Sequence, residues 1–442
     1  MAKPTPLSGF PEWLPDGRIV EQRILAALQR AFELHGFASI ETRAVEPLDQ
    51  LLRKGEIDKE VYVLRRLQAE EGDTGDAGLG LHFDLTVPFA RYVLENSGRL
   101  QFPFRRYQIQ KVWRGERPQE GRFREFTQAD IDIVGQGDLA FHHEVELPLV
   151  MADALASLPI PPIRMQVNNR KLVEGFYRGL GIEDTAAVLR TVDKLDKIGP
   201  RKVHSGLVEQ GLTDAQADAC LALAEISTED ASFADRVKAL GSADPLLDEG
   251  LDELTRVVDA AREHAPGLLV ADLRIARGLD YYTGTVYETQ LVGHEALGSI
   301  CSGGRYDDLA TAGTERYPGV GLSVGVTRLV SRLLGQGLLT ASRSVPTAVL
   351  VALPDEESRT SCDRIASALR RRGIPVEVAP SATKYGKQIR YAERRGIPYV
   401  WFPQSDGGHE VRDIRSGEQV PADPTAWAPP AEDLHPTVSG AS

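Results

Sequence analysis

Two long runs of strand-forming residues joined by an arginine-rich loop, within residues 101–135, constrain the fold of this chain most. The loop contains four arginines: Arg114, Arg117, Arg122 and Arg124. On the second run, Gln128, Asp130 and Asp132 are two residues apart, so a strand would project them to one face. Burying an amide and two carboxylates is costly unless they meet a ligand. The segment therefore predicts a sheet with a polar, ligand-facing surface.

The same segment suits two kinds of charge at once. Arginine presents a planar fork that grips phosphate bidentately. Carboxylates instead suit an ammonium group or an imidazole N–H. One site would thus bind both a phosphate and a cationic small molecule. A solvent-exposed sheet face carrying charge pairs remains an alternative from the residues alone.

The charge distribution points to a polyanionic partner despite an acidic total. The net charge of the 442 residues is −13, which alone argues against nucleic acid. However, residues 105–124 carry seven Arg and Lys against two Glu, net +5, and residues 359–403 carry ten against three acidic residues, net +7. Such asymmetry suggests a polyanion touching two separate places. Solvated helix faces would explain the second island equally well.

Targeting and redox features indicate a cytoplasmic protein. No apolar run approaches the length of a membrane span, and the first residues show no signal peptide. The three cysteines, Cys220, Cys301 and Cys362, are scattered and form neither a zinc spacing nor a disulfide framework. We therefore expect no membrane association and no bound structural metal. The adjacent His142 and His143 diverge on a helix and are a poor metal pair.

Changes in the predicted secondary structure along the chain indicate several domains. The strand-rich parts 1–162 and 266–340 flank a polar, helical insertion at 163–265. Residues 345–425 alternate strand and helix, which is typical of a small α/β domain with a largely parallel sheet. We expect residues 428–442 to be a disordered tail.

Three further motifs are weak when each is taken alone. "HFDLTVPFARY" places Asp84 and Thr86 two apart, so they would share a strand face. "YPGVGLSVGVTRLVSRLL" offers glycines for close backbone approach, with Arg328 on the first turn of a helix, but it fits neither the dinucleotide nor the P-loop pattern. "LRIARGLDYYTGTVYE" concentrates polar groups, including Arg277, in a stretch that reads as a hairpin.

Together these motifs resemble the class II aminoacyl-tRNA synthetases, and "RGLDYY" and "GGRYD" resemble signatures peculiar to the histidyl-tRNA synthetase family. Residues 104–128 resemble motif 2, "GVGLSVGVTR" resembles motif 3, and the first helix and strand with Pro47 resemble motif 1. The resemblance covers roughly residues 10–420. It implies an α+β catalytic domain on an antiparallel sheet, a helical insertion, and a C-terminal α/β anticodon-binding domain.

The resemblance also implies a reaction and its partners. L-histidine is activated with ATP and Mg²⁺ to histidyl-adenylate, and the histidyl group passes to the 3′ end of tRNA-His, in a homodimeric enzyme. By motif position, Arg114 matches the α-phosphate ligand, Arg328 the γ-phosphate ligand, and Arg277 a second arginine opposite the α-phosphate. Glu116 and Arg122 match residues near the adenine and phosphates.

For the amino acid, the resemblance implies a second group of residues. Asp84, Thr86 and Gln128 match residues that hold the α-amino group. Asp132 and Tyr282 match those that read the imidazole, with Tyr281 lining the pocket. "DLT" stands where many members carry Glu-Gly-Thr, and Asp132 where some carry Glu, so the pocket geometry differs there.

Other interpretations remain open on the sequence. A catalytically silent regulatory paralogue of ATP phosphoribosyltransferase would be expected to lack "RGLDYY" and the C-terminal domain, and both are present. "RGLDYYTGT" speaks against a synthetase for proline, threonine or glycine. A pure RNA-binding sensor would have no need to keep Arg114, Arg277 and Arg328 together.

Overall fold

The computed structural model describes residues 4–52, 60–67, 78–119, 121–275 and 282–440. The chain divides into two compact units. The first unit is Met1–Pro11 with Ile24–Arg332, and the second is Glu12–Arg23 with Leu333–Ser442. The motifs singled out above lie in the first unit, and the small α/β domain lies in the second.

The strands include two that are ten residues long, and these flank the arginine loop (residues 114–124) as the sequence predicted. In chain order the strands are β1 Ala38–Ser39, β2 Val45–Pro47, β3 Leu79–Leu81, β4 Phe104–Trp113, β5 Glu125–Val134, β6 Ile163–Asn169, β7 Ser227–Thr228, β8 Leu269–Asp272, β9 Thr285–Leu291, β10 Cys301–Tyr306, β11 Thr311–Ala312, β12 Glu315–Arg316, β13 Gly319–Gly325, β14 Leu339–Ala341, β15 Val349–Val351, β16 Val376–Val378, β17 Tyr399–Pro403, β18 His409–Asp413, β19 Gln419–Pro421 and β20 Val438–Gly440.

Several helices begin at residues whose side chains satisfy the unpaired N–H groups of the first turn. In chain order the helices are α1 Pro15–Leu34, α2 Leu48–Leu51, α3 Thr86–Asn96, α4 His142–Ala156, α5 Arg170–Gly179, α6 Thr185–Val192, α7 Leu195–Ile198, α8 Pro200–Glu209, α9 Asp214–Ala224, α10 Phe233–Ala239, α11 Pro245–His264, α12 Val326–Gly335, α13 Arg359–Arg371, α14 Tyr385–Arg395 and α15 Ala431–Leu434. Asn169 caps α5, Thr213 forms a capping box with Gln216 at α9, and Asp244 caps α11. Within the described ranges, no helix has both the length and the apolar character that a bilayer crossing requires.

A nine-stranded sheet organises the first unit, in the order β1-β4-β5-β13-β10-β9-β6-β8-β7. Its central strands are antiparallel, as the sequence predicted, while β1 with β4 and β6 with β8 run parallel. On β5, Ala129, Ile131 and Ile133 are fully buried. They alternate with the polar residues at 128, 130 and 132, so the core lies behind the sheet and the polar row faces the other way.

The predicted helical insertion begins later than the sequence suggested. Residues 163–169 form β6, which pairs with both β8 and β9 inside the large sheet. The sequence "IRMQVNN" alternates apolar and polar residues, which is typical of a strand. The longer helical pattern that follows it led to the prediction of a helical domain from residue 163. Residues 170–264 are mainly helical, although Ser227–Thr228 adds a short edge strand.

The second unit contains the α/β domain that the sequence predicted. Its sheet has the order β16-β15-β17-β18-β19, in which β15, β16 and β17 are parallel and β18 and β19 complete it antiparallel. Its core includes the fully buried Trp401, packed edge-on against Trp427 with ring centroids 5.6 Å apart.

The expected disordered tail at 428–442 is wrong for residues 428–440. These residues contain α15 and β20, and β20 pairs with β14 antiparallel. Asp433 anchors the segment, since its carboxylate accepts hydrogen bonds from Tyr399 (2.8 Å) and Arg415 (2.7 Å). The position of this segment at the end of the chain suggested disorder. Its hydrogen bonds to distant residues and its pairing with β14 hold it in place instead.

Candidate functional site

The polar row on β5 is a buried hydrogen-bonded chain and not a solvated face. Gln128, Asp130 and Asp132 are each no more than 7% exposed. Gln128 Nε2 donates to Ser323 Oγ at 2.6 Å, and Ser323 Oγ donates to Asp130 Oδ1 at 2.5 Å. The register of β5 with β13 places Ser323 opposite Asp130, so the sheet itself brings these groups together.

Asp132 is held by two partners that the sequence did not reveal. The fully buried Arg106 lies opposite it on β4, with Nη2 2.7 Å from Asp132 Oδ2. The Tyr306 hydroxyl donates to Asp132 Oδ1 at 2.6 Å. The Arg106 guanidinium also lies 4.2 Å from the ring centroid of Phe89, a cation–π contact that helps it tolerate burial.

A cavity that is partly open to solvent lies against these residues, and its empty space is about 250 Å³ when the open part is included. Its lining is Thr86, Asp130, Asp132, Tyr282, Ser302, Gly303, Tyr306, Gly321, Leu322 and Ser323. This cavity, called the polar cavity below, brings together residues from β5, β10, β13 and α3 with Tyr282. The arrangement suits a small ligand with several hydrogen-bonding groups.

Two glycines opposite each other on neighbouring strands leave space for two side chains that line the polar cavity. Gly304 on β10 pairs with Gly321 on β13. A Cβ at Gly321 would lie 2.1 Å from Asp132 Oδ1, and a Cβ at Gly304 would lie 2.9 Å from the ring of Tyr282. Neither position can accept a side chain unless its neighbours move.

The structure corrects the prediction that Asp84 and Thr86 share a strand face. Thr86 is the first residue of α3, and the buried Asp84 accepts a hydrogen bond from the Val87 N–H at 3.1 Å. An Asp three residues before a first-turn N–H, with Pro88 following, is a helix-start pattern. Thr86 nevertheless lines the polar cavity.

The predicted phosphate-binding arginines lie at the ends of the same strands. Arg114 follows β4, donates from Nε to the Phe83 carbonyl at 3.0 Å, and lies 5.1 Å from the Phe126 ring centroid. Glu116 forms an ion pair with Arg122 at 3.1 Å, half-exposed within the arginine loop.

Arg328 stands on the first turn of α12, as predicted. Its guanidinium donates to the Ser299 carbonyl at 3.0 Å and also to the Leu297 carbonyl. The adjacent Thr327 hydroxyl accepts the Thr127 N–H at 2.8 Å, so the start of α12 is tied to β5. The segments resembling motifs 2 and 3 are therefore neighbours.

Of the two adjacent tyrosines in "RGLDYY", Tyr282 lies within the described residues. Burial raises the pKa of Tyr282, and the charges of Asp132, Asp84 and Asp130 raise it further. The phenol therefore stays protonated and offers a hydrogen-bond donor. The other two predicted residues of this stretch, Arg277 and Tyr281, lie outside the described residues.

A buried ion pair supports the segment that follows Tyr282. Glu144 is fully buried on α4, and its carboxylate accepts from Arg305 at 2.7 Å and from the Thr285 hydroxyl at 2.5 Å. Arg305 also binds Asp307 at 2.9 Å, and Asp307 accepts from the Thr283 hydroxyl at 2.6 Å. Sequence reasoning missed this network, although Arg305 and Asp307 belong to the quoted "GGRYD".

Asp130 has an unusual proton affinity. Burial raises the pKa of Asp130 to about 7, with Asp132 and Asp84 adding to the rise and Arg106 and Ser323 opposing it. Among the described residues, Asp130 has no cationic side chain within ion-pair distance, and no three His, Cys, Asp or Glu are grouped to hold a metal ion. The site can thus bind a polar or cationic ligand beside arginines that suit phosphate.

Comparisons with known proteins agree on one family. Residues 9–329 match the family model for histidyl-tRNA synthetase, and residues 347–423 match the anticodon binding domain. The chain is 63% identical over 452 residues to the histidine–tRNA ligase of Cutibacterium acnes, with 100% of both chains covered. It is 62% identical over 456 residues, again with 100% of both covered, to that of Micrococcus luteus.

Solved structures show the same architecture. The crystal structure of histidyl-tRNA synthetase from Nostoc sp. has a TM-score of 0.85 at 35% identity, covering 96% of this chain and 97% of that one. A Bacillus halodurans structure described as an ATP phosphoribosyltransferase regulatory subunit/histidyl-tRNA synthetase reaches a TM-score of 0.73 at 20% identity, covering 88% and 97%. This second similarity shows the fold alone.

Proposed function

Because the chain belongs to the histidyl-tRNA synthetase family, we propose that its polar cavity binds L-histidine and that the arginines beside it bind ATP. The chain is a histidine–tRNA ligase. It activates L-histidine with ATP to histidyl-adenylate and transfers the histidyl group to the 3′ end of tRNA-His. The full-length identity of the relatives favours this activity over the regulatory paralogue.

The nucleotide side of the site rests on arginines. Arg114 contacts the α-phosphate, Arg328 the γ-phosphate, and Glu116 and Arg122 the adenine and phosphates. The support is their placement at the ends of β4, β5 and β13, where the arginine loop and α12 meet. Arg277 completes the α-phosphate contacts by its motif position. ATP enters as its Mg²⁺ complex, the usual form of a nucleotide substrate.

The chemistry needs no protein nucleophile. The histidine carboxylate attacks the α-phosphorus and pyrophosphate leaves, so the protein contributes positioning and neutralisation of phosphate charge. A guanidinium keeps its charge at all working pH values, so it neutralises charge without exchanging a proton.

The amino-acid side of the site is the polar cavity. Asp84, Thr86 and Gln128 hold the α-amino group, and Asp132 and Tyr282 read the imidazole, with Tyr281 beside them. An imidazole offers one donor and one acceptor, which a carboxylate and a protonated phenol match. An amino acid without those groups would leave buried polar atoms unpaired, which rejects it by about 10⁴-fold.

The tRNA contacts the arginine loop and the C-terminal domain (residues 345–425). The basic stretches 105–124 (net +5), which includes the arginine loop, and 359–403 (net +7), which lies inside the C-terminal domain, support this against a total of −13. The helical insertion is a further tRNA-contacting arm. The protein is a cytoplasmic homodimer whose interface includes the motif 1 region.

Amino-acid-dependent exchange of pyrophosphate into ATP tests the first step. With each of the twenty amino acids in turn, only L-histidine should support exchange, and tRNA-His should then accept labelled histidine. Exchange that is no faster with histidine than with the other nineteen would refute the proposal. Arg277→Lys should lose most activity while the fold survives, because lysine lacks the bidentate fork.

A further inference from the structure

A turn at residues 7–10, called the N-terminal turn below, is bonded to the end of the arginine loop. The Gly9 carbonyl accepts the Arg124 N–H at 2.7 Å and the Glu125 N–H at 3.1 Å. Gly9 has a φ of +85°, a backbone conformation that favours glycine. The turn therefore fixes the point at which the arginine loop ends and β5 begins, although it lies far away in the chain.

Gly9 also packs closely against side chains of the arginine loop. A Cβ at this position would lie 2.9 Å from Arg124 Cγ and 2.9 Å from Pro118 Cγ. Arg124 in turn donates from Nε to the Glu116 carbonyl at 3.1 Å, within the same loop. The Arg124 side chain thus links the N-terminal turn to a residue assigned to ATP.

A second segment holds the other end of the arginine loop. The Glu60 carbonyl accepts the Gly115 N–H at 2.7 Å. Two residues later, the Tyr62 ring lies edge-on to the Phe10 ring, with the ring centroids 6.3 Å apart. The two segments that hold the loop therefore also contact each other.

The electrostatics of Glu60 place this second segment beside the nucleotide residues. Burial raises the pKa of Glu60, the charge of Glu116 raises it further, and the charges of Arg114 and Arg122 oppose the rise. A carboxyl group that is influenced by all three of these charges lies near them. The contact between the two segments is thus at the border of the proposed ATP site.

We propose that the N-terminal turn is a positioning element for ATP binding, in which Gly9 holds the arginine loop in the shape that presents Arg114, Glu116 and Arg122 to the nucleotide. The turn lies outside the segments that resemble motifs 1, 2 and 3. The inference rests on the assignment of these three residues to ATP in the proposed function. Placement matters because a misplacement of about 1 Å can cost about 100-fold in rate.

A turn that only anchored the start of the chain would have a different signature. Loss of such an anchor would lower the fraction of folded protein, and with it the maximal rate, but would leave the KM of the folded molecules unchanged. Loss of a positioning element would raise the KM for ATP specifically. The polar cavity is built from other segments, so the KM for histidine should stay as it is.

The test measures histidine-dependent pyrophosphate exchange by full-length Gly9→Ala protein. The new methyl group must push Arg124 or Pro118 away by about 0.5 Å to reach the ordinary contact distance of 3.4 Å. We expect the KM for ATP to rise about tenfold, in proportion to that displacement, while the KM for histidine stays within twofold of wild type.

Gly137→Ala is the matched control for backbone strain. Gly137 is exposed and has a φ of +82°, almost that of Gly9, but a Cβ there would meet nothing within 4 Å. This variant should keep both KM values of wild type. A rise in the KM for ATP in Gly9→Ala alone would then come from the contact with the arginine loop and not from strain.

Phe10→Ala decides the question if Gly9→Ala shows no cooperative thermal transition. It keeps the turn but removes the ring contact with Tyr62. An aromatic pair contributes about 2–10-fold to an equilibrium, so we expect the KM for ATP to rise by up to that factor and by at least twofold. The KM for histidine should again stay within twofold.

Two results in the folded variant would overturn the proposal. One is a KM for ATP within twofold of wild type. The other is an equal rise in the KM for ATP and the KM for histidine, which indicates general distortion. In both cases, histidine-dependent exchange by wild type would leave the proposed function standing, whereas wild type without such exchange would refute the proposed function itself.

Discussion

A methyl group at Gly321 should collide with the carboxylate at the centre of the polar cavity. The added Cβ of Gly321→Ala would lie 2.1 Å from Asp132 Oδ1 and 2.7 Å from its Cγ, whereas ordinary contacts begin at 3.4 Å. Either Asp132 or the strand must move by more than 1 Å. The carboxylate cannot move freely, because Arg106 and Tyr306 hold its two oxygens.

The cost depends on which element yields. Movement of the strand is overpacking, which costs about 1–3 kcal/mol. Loss of the buried ion pair costs about 3–5 kcal/mol. We therefore expect Gly321→Ala to lower the free energy of unfolding by at least about 1 kcal/mol. Displacement of Asp132 should also lower kcat/KM for histidine, by about tenfold for each 1.4 kcal/mol of histidine-binding free energy that is lost.

The assay pairs urea unfolding with histidine-dependent pyrophosphate exchange. Gly325→Ala, on the same strand, is the stability control because its Cβ would be 3.7 Å from the nearest atom. Gly206→Ala is the activity control. Gly206 lies on α8, far in sequence from the arginines assigned to ATP, and its Cβ would be at an ordinary contact distance of 3.5 Å from Thr191. A Gly321→Ala protein with the wild-type urea midpoint and KM would refute the reasoning.

Three further predictions follow from the buried charges. Asp132→Ala should lower the free energy of unfolding by about 3–5 kcal/mol, because it leaves Arg106 buried and unpaired; an unchanged urea midpoint would contradict this. Glu144→Ala should also destabilise, but by less than Asp132→Ala because Arg305 keeps Asp307 as a partner, and Glu144→Gln should destabilise by less still because it keeps the acceptor for Thr285; the same unfolding measurement checks both. For Asp130, the raised pKa of about 7 means that the native state binds more protons than the unfolded chain between about pH 4 and 7, so stability falls as pH rises through that window. Asp130→Asn should not show this fall, so its free energy of unfolding relative to wild type should rise between pH 5 and pH 8, by at most about 4 kcal/mol. If the difference in unfolding free energy between wild type and variant is the same at pH 5 and pH 8, the prediction is wrong.

Local sequence patterns were sufficient for the hairpin and for the same-face placement of its polar residues. The two-residue period of Gln128, Asp130 and Asp132 is a property of the strand itself, so no partner was needed to predict it. The helix carrying Arg328 and the alternating C-terminal domain were likewise predicted from periodicity.

What escaped prediction depends on pairing between distant segments. Arg106 and Tyr306 meet Asp132 only because β4, β5, β13 and β10 adopt one register, and a sequence does not display register. Asp84 was assigned to a strand because side-chain spacing alone does not distinguish a strand from the start of a helix. The ordered tail depends on β14, a strand far along the chain.

The facing glycines Gly304 and Gly321 also limit how the substrate range of this protein can evolve. A side chain at Gly304 would meet Tyr282 and one at Gly321 would meet Asp132, so a substitution at either position would displace a residue that lines the polar cavity. New specificity would have to arise on the walls, at small side chains such as Thr86 and Ser302. In a directed-evolution library, Gly304 and Gly321 should remain glycine while Thr86 and Ser302 diversify.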